Sequence, residues 1–197
     1  ISSHPSDITI CSGNATTFSL TAAGASLTYQ WKVSTDGTNY TDLTNTGIYT
    51  GTTTSVLRLS SGVTSSYSGY KYKCTVTGSC GSAVTSNEAT LTVNSPISIS
   101  ASPSNSTICS GNNTTFSVTA SGTSPTYQWK VSTNGGSSYT NLSDAGVYTG
   151  VKTATLTITG ATAGMNSYKY HCVVSGTCAN ATSDAATLTI NAAPSTP

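Results

Sequence analysis

Six cysteines are the residues of this 197-residue chain best able to do chemistry. They form two sets of three, the second repeating the first 98 residues later: Cys11, Cys74 and Cys80, then Cys109, Cys172 and Cys178. Neither set contains a CxxC pair or a spacing with histidine that is typical of a zinc site. Disulfide chemistry in an oxidising compartment accounts for them better. We therefore predict no metal and no cofactor.

The acids and histidines do not form a catalytic pattern. The acids occur singly in turn-like segments, at Asp7, Asp36, Asp42, Glu88, Asp144 and Asp184. No two of them have a spacing that would hold an acid and a base on either side of a sugar. His171 alternates with Tyr170 and Cys172, so we expect it to face solvent as an ordinary surface histidine. A GxSxG nucleophile motif is also missing, and we predict that the chain is not an enzyme.

Aromatic residues could stack on sugars. The octapeptide TYQWKVST occurs twice, with Trp31 and Trp129 inside it. Each tryptophan shares a face with a tyrosine and a valine two residues away, so we expect both indoles to pack in a core. Other tyrosines recur at matched positions and are candidate stacking surfaces for polysaccharide: Tyr40, Tyr49, Tyr139 and Tyr148.

Basic side chains alternate with the tryptophans and the inward tyrosines, so they should lie on the opposite face of the same segments. They are Lys32, Lys71, Lys73, Lys130, Lys169 and His171. We expect one cationic patch in each half, either as a contact surface for acidic glycans or a neighbouring domain, or to keep a sheet face soluble. The formal net charge of +1 provides no field that would attract nucleic acid, and we predict no nucleic-acid partner.

These side chains must be positioned by extended segments. Ser and Thr make up 73 residues, and threonine, like other β-branched residues, favours strands. Apolar and polar residues alternate with period two, and six or seven such runs per hundred residues are separated by Gly, Asn and Ser turns. The pattern predicts an all-β chain of two tandem sandwich domains, at residues 1–94 and 95–191, with 192–197 as a linker or tail. We also expect a Pro-bearing linker around Pro96 and Pro103, and no membrane span.

The motifs resemble the immunoglobulin-like fold: a tryptophan on a central strand, Tyr72-x-Cys74 on the penultimate strand, and a last strand ending LTV. The runs CSGNxTTFS, YQW, GxYTG and SYKYxCxVSGTC are similar to the tandem immunoglobulin-like repeats of large secreted and surface proteins of Bacteroidetes-type bacteria. The resemblance covers both halves. It implies extracellular modules that space, display or adhere, attached to adhesins or to polysaccharide-degrading enzymes.

The cysteines depart from the antibody pattern, because the position that would pair with Cys74 is Leu20, and its counterpart in the second half is Val118. Cys74 and Cys172 occupy inward strand positions, where a thiol packs as a small apolar group. We expect them to be buried thiols, and the resemblance favours disulfides Cys11–Cys80 and Cys109–Cys178. The alternatives are a bond from the middle cysteine to one of the other two, and pairing between chains.

Two functions follow from these expectations. The first is a non-catalytic extracellular spacer or adhesion module of a larger secreted or cell-surface protein, whose partners are neighbouring domains of the same chain or another surface protein. The alternative is a carbohydrate-binding accessory module of a secreted polysaccharide-degrading enzyme, with polysaccharide as its partner.

Overall fold

The computed structural model describes residues 1–191 and confirms the predicted all-β class with two immunoglobulin-like sandwiches. Two compact units divide the chain: unit 1 is Ile1–Ser95, and unit 2 begins at Pro96. Each contains one short 3₁₀ helix, η1 (Ser65–Tyr67) in unit 1 and η2 (Ala163–Met165) in unit 2. The predicted tail at 192–197 lies outside the described residues.

Unit 1 contains nine strands: β1 (Ile8–Cys11), β2 (Thr16–Ser19), β3 (Thr28–Ser34), β4 (Thr41–Asp42), β5 (Tyr49–Thr50), β6 (Val56–Leu59), β7 (Lys71–Thr77), β8 (Val84–Thr85) and β9 (Ala89–Asn94). One sheet has the order β1-β9-β7-β3-β4, with β8 paired to β7, and the other has the order β2-β6-β5. Strands β1 and β9 are parallel, with Ile8 opposite Leu91. All other strand pairs of unit 1 are antiparallel.

Unit 2 repeats this architecture and adds one short strand pair. Its strands are β10 (Ser98–Ala101), β11 (Ser106–Cys109), β12 (Thr114–Ser117), β13 (Thr119–Ser121), β14 (Thr126–Ser132), β15 (Thr140–Asn141), β16 (Tyr148–Thr149), β17 (Thr155–Ile158), β18 (Lys169–Ser175), β19 (Asn180–Thr182) and β20 (Ala186–Asn191). Its sheets have the orders β11-β20-β18-β14-β15, with β19 on β18, and β12-β17-β16, while β10 pairs with β13.

The segment expected to be a linker belongs to the fold of unit 2. Ile97 is 8% exposed and packs in the core, and Pro103 is buried. The δ1 carbon of Ile97 lies so close to Gly122 and Gly176 that a Cβ at either glycine would clash with it. The expectation of a linker around Pro96 and Pro103 was therefore wrong, because Ile97 packs in the core of unit 2 against Gly122 and Gly176.

Each core lies between the two sheets and is built on stacked aromatic rings. In unit 1, the Phe18 and Tyr72 rings stack with centroids 4.7 Å apart, and both residues are almost fully buried. Phe116 and Tyr170 repeat the stack in unit 2 at 5.0 Å. Such pairs add about 1 kcal/mol to the free energy gained by burying the ring surface. The stack joins the sheet that carries the tryptophan to the smaller sheet.

Candidate interaction face

The two tryptophans are fully buried. Trp31 and Trp129 are each 0% exposed, on the central strands β3 and β14. The indole Nε1 of Trp31 donates a hydrogen bond to the Thr54 carbonyl at 2.9 Å, and that of Trp129 donates to Thr153 at 3.0 Å. Neither indole is available to stack on a sugar, and the face that these strands present outside the core is the opposite one.

That opposite face carries most of the basic residues of each unit. Lys32 on β3 lies directly across from Lys73 on β7, and Lys71 lies across from Ser34. In unit 2, Lys130 is across from His171. We name these sets the lysine faces: Lys32, Lys71 and Lys73 in unit 1, and Lys130, Lys169 and His171 in unit 2.

The lysine face of unit 1 is largely neutralised by two acids. Lys32 forms an ion pair with Asp42 on the neighbouring strand β4, and Lys71 forms one with Glu88. The hydrogen bond from Lys71, and then the one from Tyr40, hold the pKa of Glu88 below its ordinary value. The predicted cationic patch of unit 1 therefore keeps only one lysine without an acidic partner among the described residues, because side chains from neighbouring segments bring compensating charge to the same face.

Tyr40 completes the face of unit 1. The Nζ of Lys73 lies 3.5 Å from the centroid of the Tyr40 ring, in cation–π geometry. The Tyr40 hydroxyl donates to Glu88 Oε2 at 2.6 Å. Desolvation, reinforced by this hydrogen bond and by the charge of Glu88, raises the pKa of Tyr40 to about 12. Two of the three lysines therefore have anionic partners, and the third rests on an aromatic ring.

Unit 2 lacks both acids. Asn141 occupies the place of Asp42 opposite the lysine, and alignment of the last strands puts Ala185 at the place of Glu88. Within the described part of the chain, Lys130 and Lys169 have no ion-pair partner. The two lysine faces thus have the same strand pairing and differ in charge. Alternation of residue types does not show this difference, whereas a comparison of the two halves of the sequence at these two positions does.

His171 does not face solvent as expected. Its ring stacks on Tyr139 with centroids 4.0 Å apart and an interplanar angle of 16°. Nε2 of His171 is buried without a hydrogen-bond partner. Burial, and secondarily the charge of Lys130, lower the pKa of His171, so the ring is neutral near pH 7. Tyr139 holds His171 where Tyr40 holds Lys73 in unit 1, which removes one cation from the predicted patch.

Tyr49 and Tyr148 are not open stacking platforms, contrary to expectation. Each is half-buried against its core. The hydroxyl oxygen of Tyr49 lies 3.2 Å from that of Tyr72, and Tyr148 makes the same contact with Tyr170. Burial raises the pKa of both outer tyrosines. Matched recurrence of these residues therefore reflects a repeated packing contact.

The middle cysteines are buried thiols. Cys74 and Cys172 are 0% exposed and free, and each lies directly opposite a tryptophan across the strand pair. Desolvation raises the pKa of each thiol to about 11, against a weaker hydrogen-bond effect that lowers it. The thiolate fraction is correspondingly small at neutral pH, and these two thiols are poor nucleophiles.

The structure does not form the two disulfides expected within the units. Cys80 and Cys109 are free and exposed, whereas Cys11 and Cys178 are each disulfide-bonded. Cys11 is level with Asn94 at one end of the large sheet, and Cys80 follows the far end of β7. At about 3.3 Å per residue, roughly 30 Å of sheet separates them. A disulfide requires Cα atoms within about 7 Å, so strand direction rules out the pairing.

The acids act within turns. An oxygen of Asp36 accepts hydrogen bonds from the backbone N–H groups of Thr38 and Asn39, each at 2.8 Å. These bonds, led by the one from Asn39, hold the pKa of Asp36 far below its ordinary value. Asn134 accepts the equivalent bond from Ser138 in unit 2. Across residues 1–191, no three His, Cys, Asp or Glu side chains converge on a point where a metal ion could bind, and the described helices are too short to cross a membrane.

The fold is similar to tandem immunoglobulin domains of solved structures. An I-band fragment from titin matches 96% of this chain and 64% of its own length, with 14% identity and a TM-score of 0.68. Immunoglobulin domains 1–5 of Sidekick-1 match 95% of this chain and 38% of their own length, with 21% identity and a TM-score of 0.69. The first two immunoglobulin domains of DIP-gamma match 95% and 94%, with 14% identity and a TM-score of 0.60.

At these identities the structures show the fold alone, and they indicate no catalytic family. No curated protein matches the sequence. A family profile matches twice, at residues 2–95 and 98–192, and these matches cover nearly the whole chain. The chain therefore belongs to the family described as domain of unknown function DUF8696, and carries two copies of that domain.

Proposed function

We propose that this chain is a non-catalytic extracellular spacer and adhesion segment of a larger secreted or cell-surface protein, of the kind found in Bacteroidetes-type bacteria. The observation that carries the proposal is the way in which each sandwich connects its two chain ends. The first and last strands of the large sheet are direct neighbours and run parallel, with four register pairs in each unit. A spacer must transmit tension, and this arrangement resists it.

The geometry loads the backbone hydrogen bonds together. Tension on the two ends of unit 1 pulls β1 and β9 in opposite directions along their common axis, because parallel neighbours are drawn from opposite ends. The hydrogen bonds between them are then sheared at once and not opened one by one. In unit 2, β11 and β20 have the same relationship. Just before β1 and just before β11, a side-chain oxygen adds one more hydrogen bond to the last strand of the unit. Asp7 accepts from Thr90 N–H, and Asn105 accepts from Thr187 N–H, each at 2.7 Å.

Single-molecule force spectroscopy on the chain held at both ends tests this proposal. In a reducing buffer, which opens the disulfide bonds of Cys11 and Cys178, we expect two separate unfolding events with similar gains in contour length, of about 30 nm each for roughly 95 residues at about 3.4 Å per residue. Asp7→Ala should lower the unfolding force of one event, and the matched variant Asn105→Ala should lower that of the other. Extension without distinct force peaks would overturn the spacer proposal.

A second candidate function is the binding of an acidic polysaccharide by the lysine face of unit 2. The specific observation is that Lys130 and Lys169 have lost the acids that neutralise their counterparts in unit 1. Carboxylated sugars would supply the missing anions. This version of an accessory carbohydrate-binding module relies on charge, since Tyr49 and Tyr148 pack inward.

Calorimetric titration with polygalacturonate, and with uncharged cellulose fragments as a control, tests the second candidate. Lys130→Gln with Lys169→Gln should abolish binding, whereas the matched pair Lys32→Gln with Lys71→Gln should leave it unchanged. Asn141→Asp with Ala185→Glu, which gives unit 2 the acids of unit 1, should also abolish it. Equal binding by all three double variants would exclude this face as the site.

A further inference from the structure

Each sandwich carries one outer cysteine at each of its two ends. In unit 1, Cys11 is in register with Asn94, the last residue of β9, so it lies where the chain leaves the unit. We call this the trailing end. In unit 2, Cys109 is in register with Asn191 and lies at the trailing end of that unit.

The other outer cysteine of each unit lies at the opposite, leading end, where the chain begins the sandwich. Cys80 and Ile1 line the same cavity of about 200 Å³ in unit 1. In unit 2, Cys178 is two residues after Gly176, which is in contact with Ile97 at the start of the unit. In both units, therefore, the outer cysteine that comes first in the sequence lies at the trailing end, and the outer cysteine that comes last lies at the leading end.

The four outer cysteines have different states. Cys80 at the leading end of unit 1 and Cys109 at the trailing end of unit 2 are free and exposed. Their counterparts, Cys178 at the leading end of unit 2 and Cys11 at the trailing end of unit 1, are each disulfide-bonded. Both positions of the repeat are therefore used for disulfide bonding, and the chain retains one unused copy of each.

We propose that Cys109 of one copy of this chain and Cys80 of a second copy form a disulfide, so that copies are joined head to tail. The inference rests on the proposed spacer function and names its partner, which is the same repeat in another molecule. A head-to-tail contact joins two different ends, so each copy can be bonded at both of its ends and the contact can continue along a row of copies.

The chemistry requires a small-molecule disulfide as the oxidant, and oxidised glutathione is suitable. The thiolate of Cys109 attacks one glutathione sulfur, which releases the first glutathione thiolate and leaves a mixed disulfide on the protein. The thiolate of Cys80 on the second copy then attacks the Cys109 sulfur and releases the second glutathione. Two protein thiols lose two electrons and two protons, and one oxidised glutathione becomes two reduced molecules.

The remaining thiols do not compete. Cys74 and Cys172 are fully buried, and each lies opposite a tryptophan on the neighbouring strand. Within unit 1, Cys80 lies at the end opposite Cys11, roughly 30 Å away along the sheet, so exchange inside the unit is blocked by distance. Cys80 and Cys109 are therefore the accessible free thiols of the described residues.

The test uses the whole chain incubated with a glutathione redox buffer, followed by non-reducing electrophoresis and mapping of disulfide-linked peptides. We expect a ladder of dimers, trimers and longer species, with Cys80–Cys109 as the linking peptide pair. Cys80→Ser and Cys109→Ser should each lose every species beyond the dimer. An equal mixture of these two variants should give a heterodimer above the one-half share expected from random pairing of equal thiols.

Two results would overturn the proposal. One is a dominance of Cys80–Cys80 and Cys109–Cys109 linkages, with each single variant dimerising as readily as the mixture. The other is a protein that remains monomeric in the redox buffer while both exposed thiols become glutathionylated. Force spectroscopy in a reducing buffer measures the spacer property separately, since both outcomes here leave the β1–β9 and β11–β20 pairs intact. Retention of the near-ultraviolet tryptophan signal shows that the serine variants are folded.

Discussion

The indole N–H of Trp31 donates to the carbonyl oxygen of Thr54 at 2.9 Å, joining the centre of the large sheet to the loop that precedes β6. Trp129 and Thr153 make the same link in unit 2. Because both rings are fully buried, their polar edge requires a partner, and a loop carbonyl provides it. The tryptophan therefore positions a loop as well as filling the core.

Trp31→Phe should destabilise unit 1 by about 3 kcal/mol, because it removes buried ring surface and the hydrogen bond to Thr54. Chemical denaturation measures the change. Circular dichroism follows both units, and the fluorescence of the remaining Trp129 follows unit 2. Trp129→Phe is the matched variant and should shift the transition of unit 2 by a similar amount. A loss below about 1 kcal/mol would contradict the central position of the indole.

Tyr49→Phe should reduce the stability of unit 1 by about 1 kcal/mol, since it leaves the hydroxyl of Tyr72 without its partner. Tyr148→Phe should act in the same way on unit 2. Polysaccharide binding, if measured in the same proteins, should not change, because both rings pack inward. A loss of binding without a loss of stability would restore the interpretation of these tyrosines as sugar platforms.

Gly51→Ala should be strongly destabilising. The backbone φ of Gly51 is 74°, and a Cβ there would lie 2.3 Å from the Val56 carbonyl oxygen. We expect a cost of about 3 kcal/mol from the left-handed conformation and the clash together. Gly47→Ala provides the matched control: its φ is 61° with open space around the added Cβ, so only the conformational cost of about 1 kcal/mol remains. Equal melting temperatures for the two variants would refute the steric argument.

Alkaline pH should weaken both units through their buried thiols. The pKa of Cys74 rises from an ordinary 9.0 to about 11 in the folded state, and that of Cys172 does the same. The unfolded chain therefore releases these protons first. The stabilisation is complete below pH 9, declines as the pH rises further, and is lost above about pH 11. Each thiol should contribute about 2 kcal/mol to this decline.

Urea denaturation at a series of pH values between 8 and 11 measures this effect. Cys74→Ala with Cys172→Ala should flatten the dependence of the unfolding free energy on pH. The exposed Cys80 provides the control variant, Cys80→Ser, which should keep the slope of the parent protein. An unchanged slope in the double alanine variant would show that other groups, such as the buried tyrosines, control the alkaline transition.

At the lysine faces, alternation in the sequence predicts where the lysines lie but not which charges surround them. Period-two alternation puts Lys32 and Lys73 on the face opposite Trp31, and the structure has them there. The pattern does not show that Asp42 and Glu88 reach the same face, because they come from a two-residue strand and a loop whose pairing depends on the closed sandwich. Alternation also gave the wrong environment for His171, since the Tyr139 ring that covers it comes from a loop.

By itself, the sequence determined that the chain is a duplicated all-β protein with a tryptophan-centred core in each half, because alternation and exact repetition are local properties of the chain. Only the tertiary structure decided which cysteines can meet. The parallel pairing of β1 with β9 puts Cys11 at the end of the sheet opposite Cys80, and this separation is fixed by strand direction. Strand direction is a property of the assembled sheet, so residue spacing along the chain does not contain it.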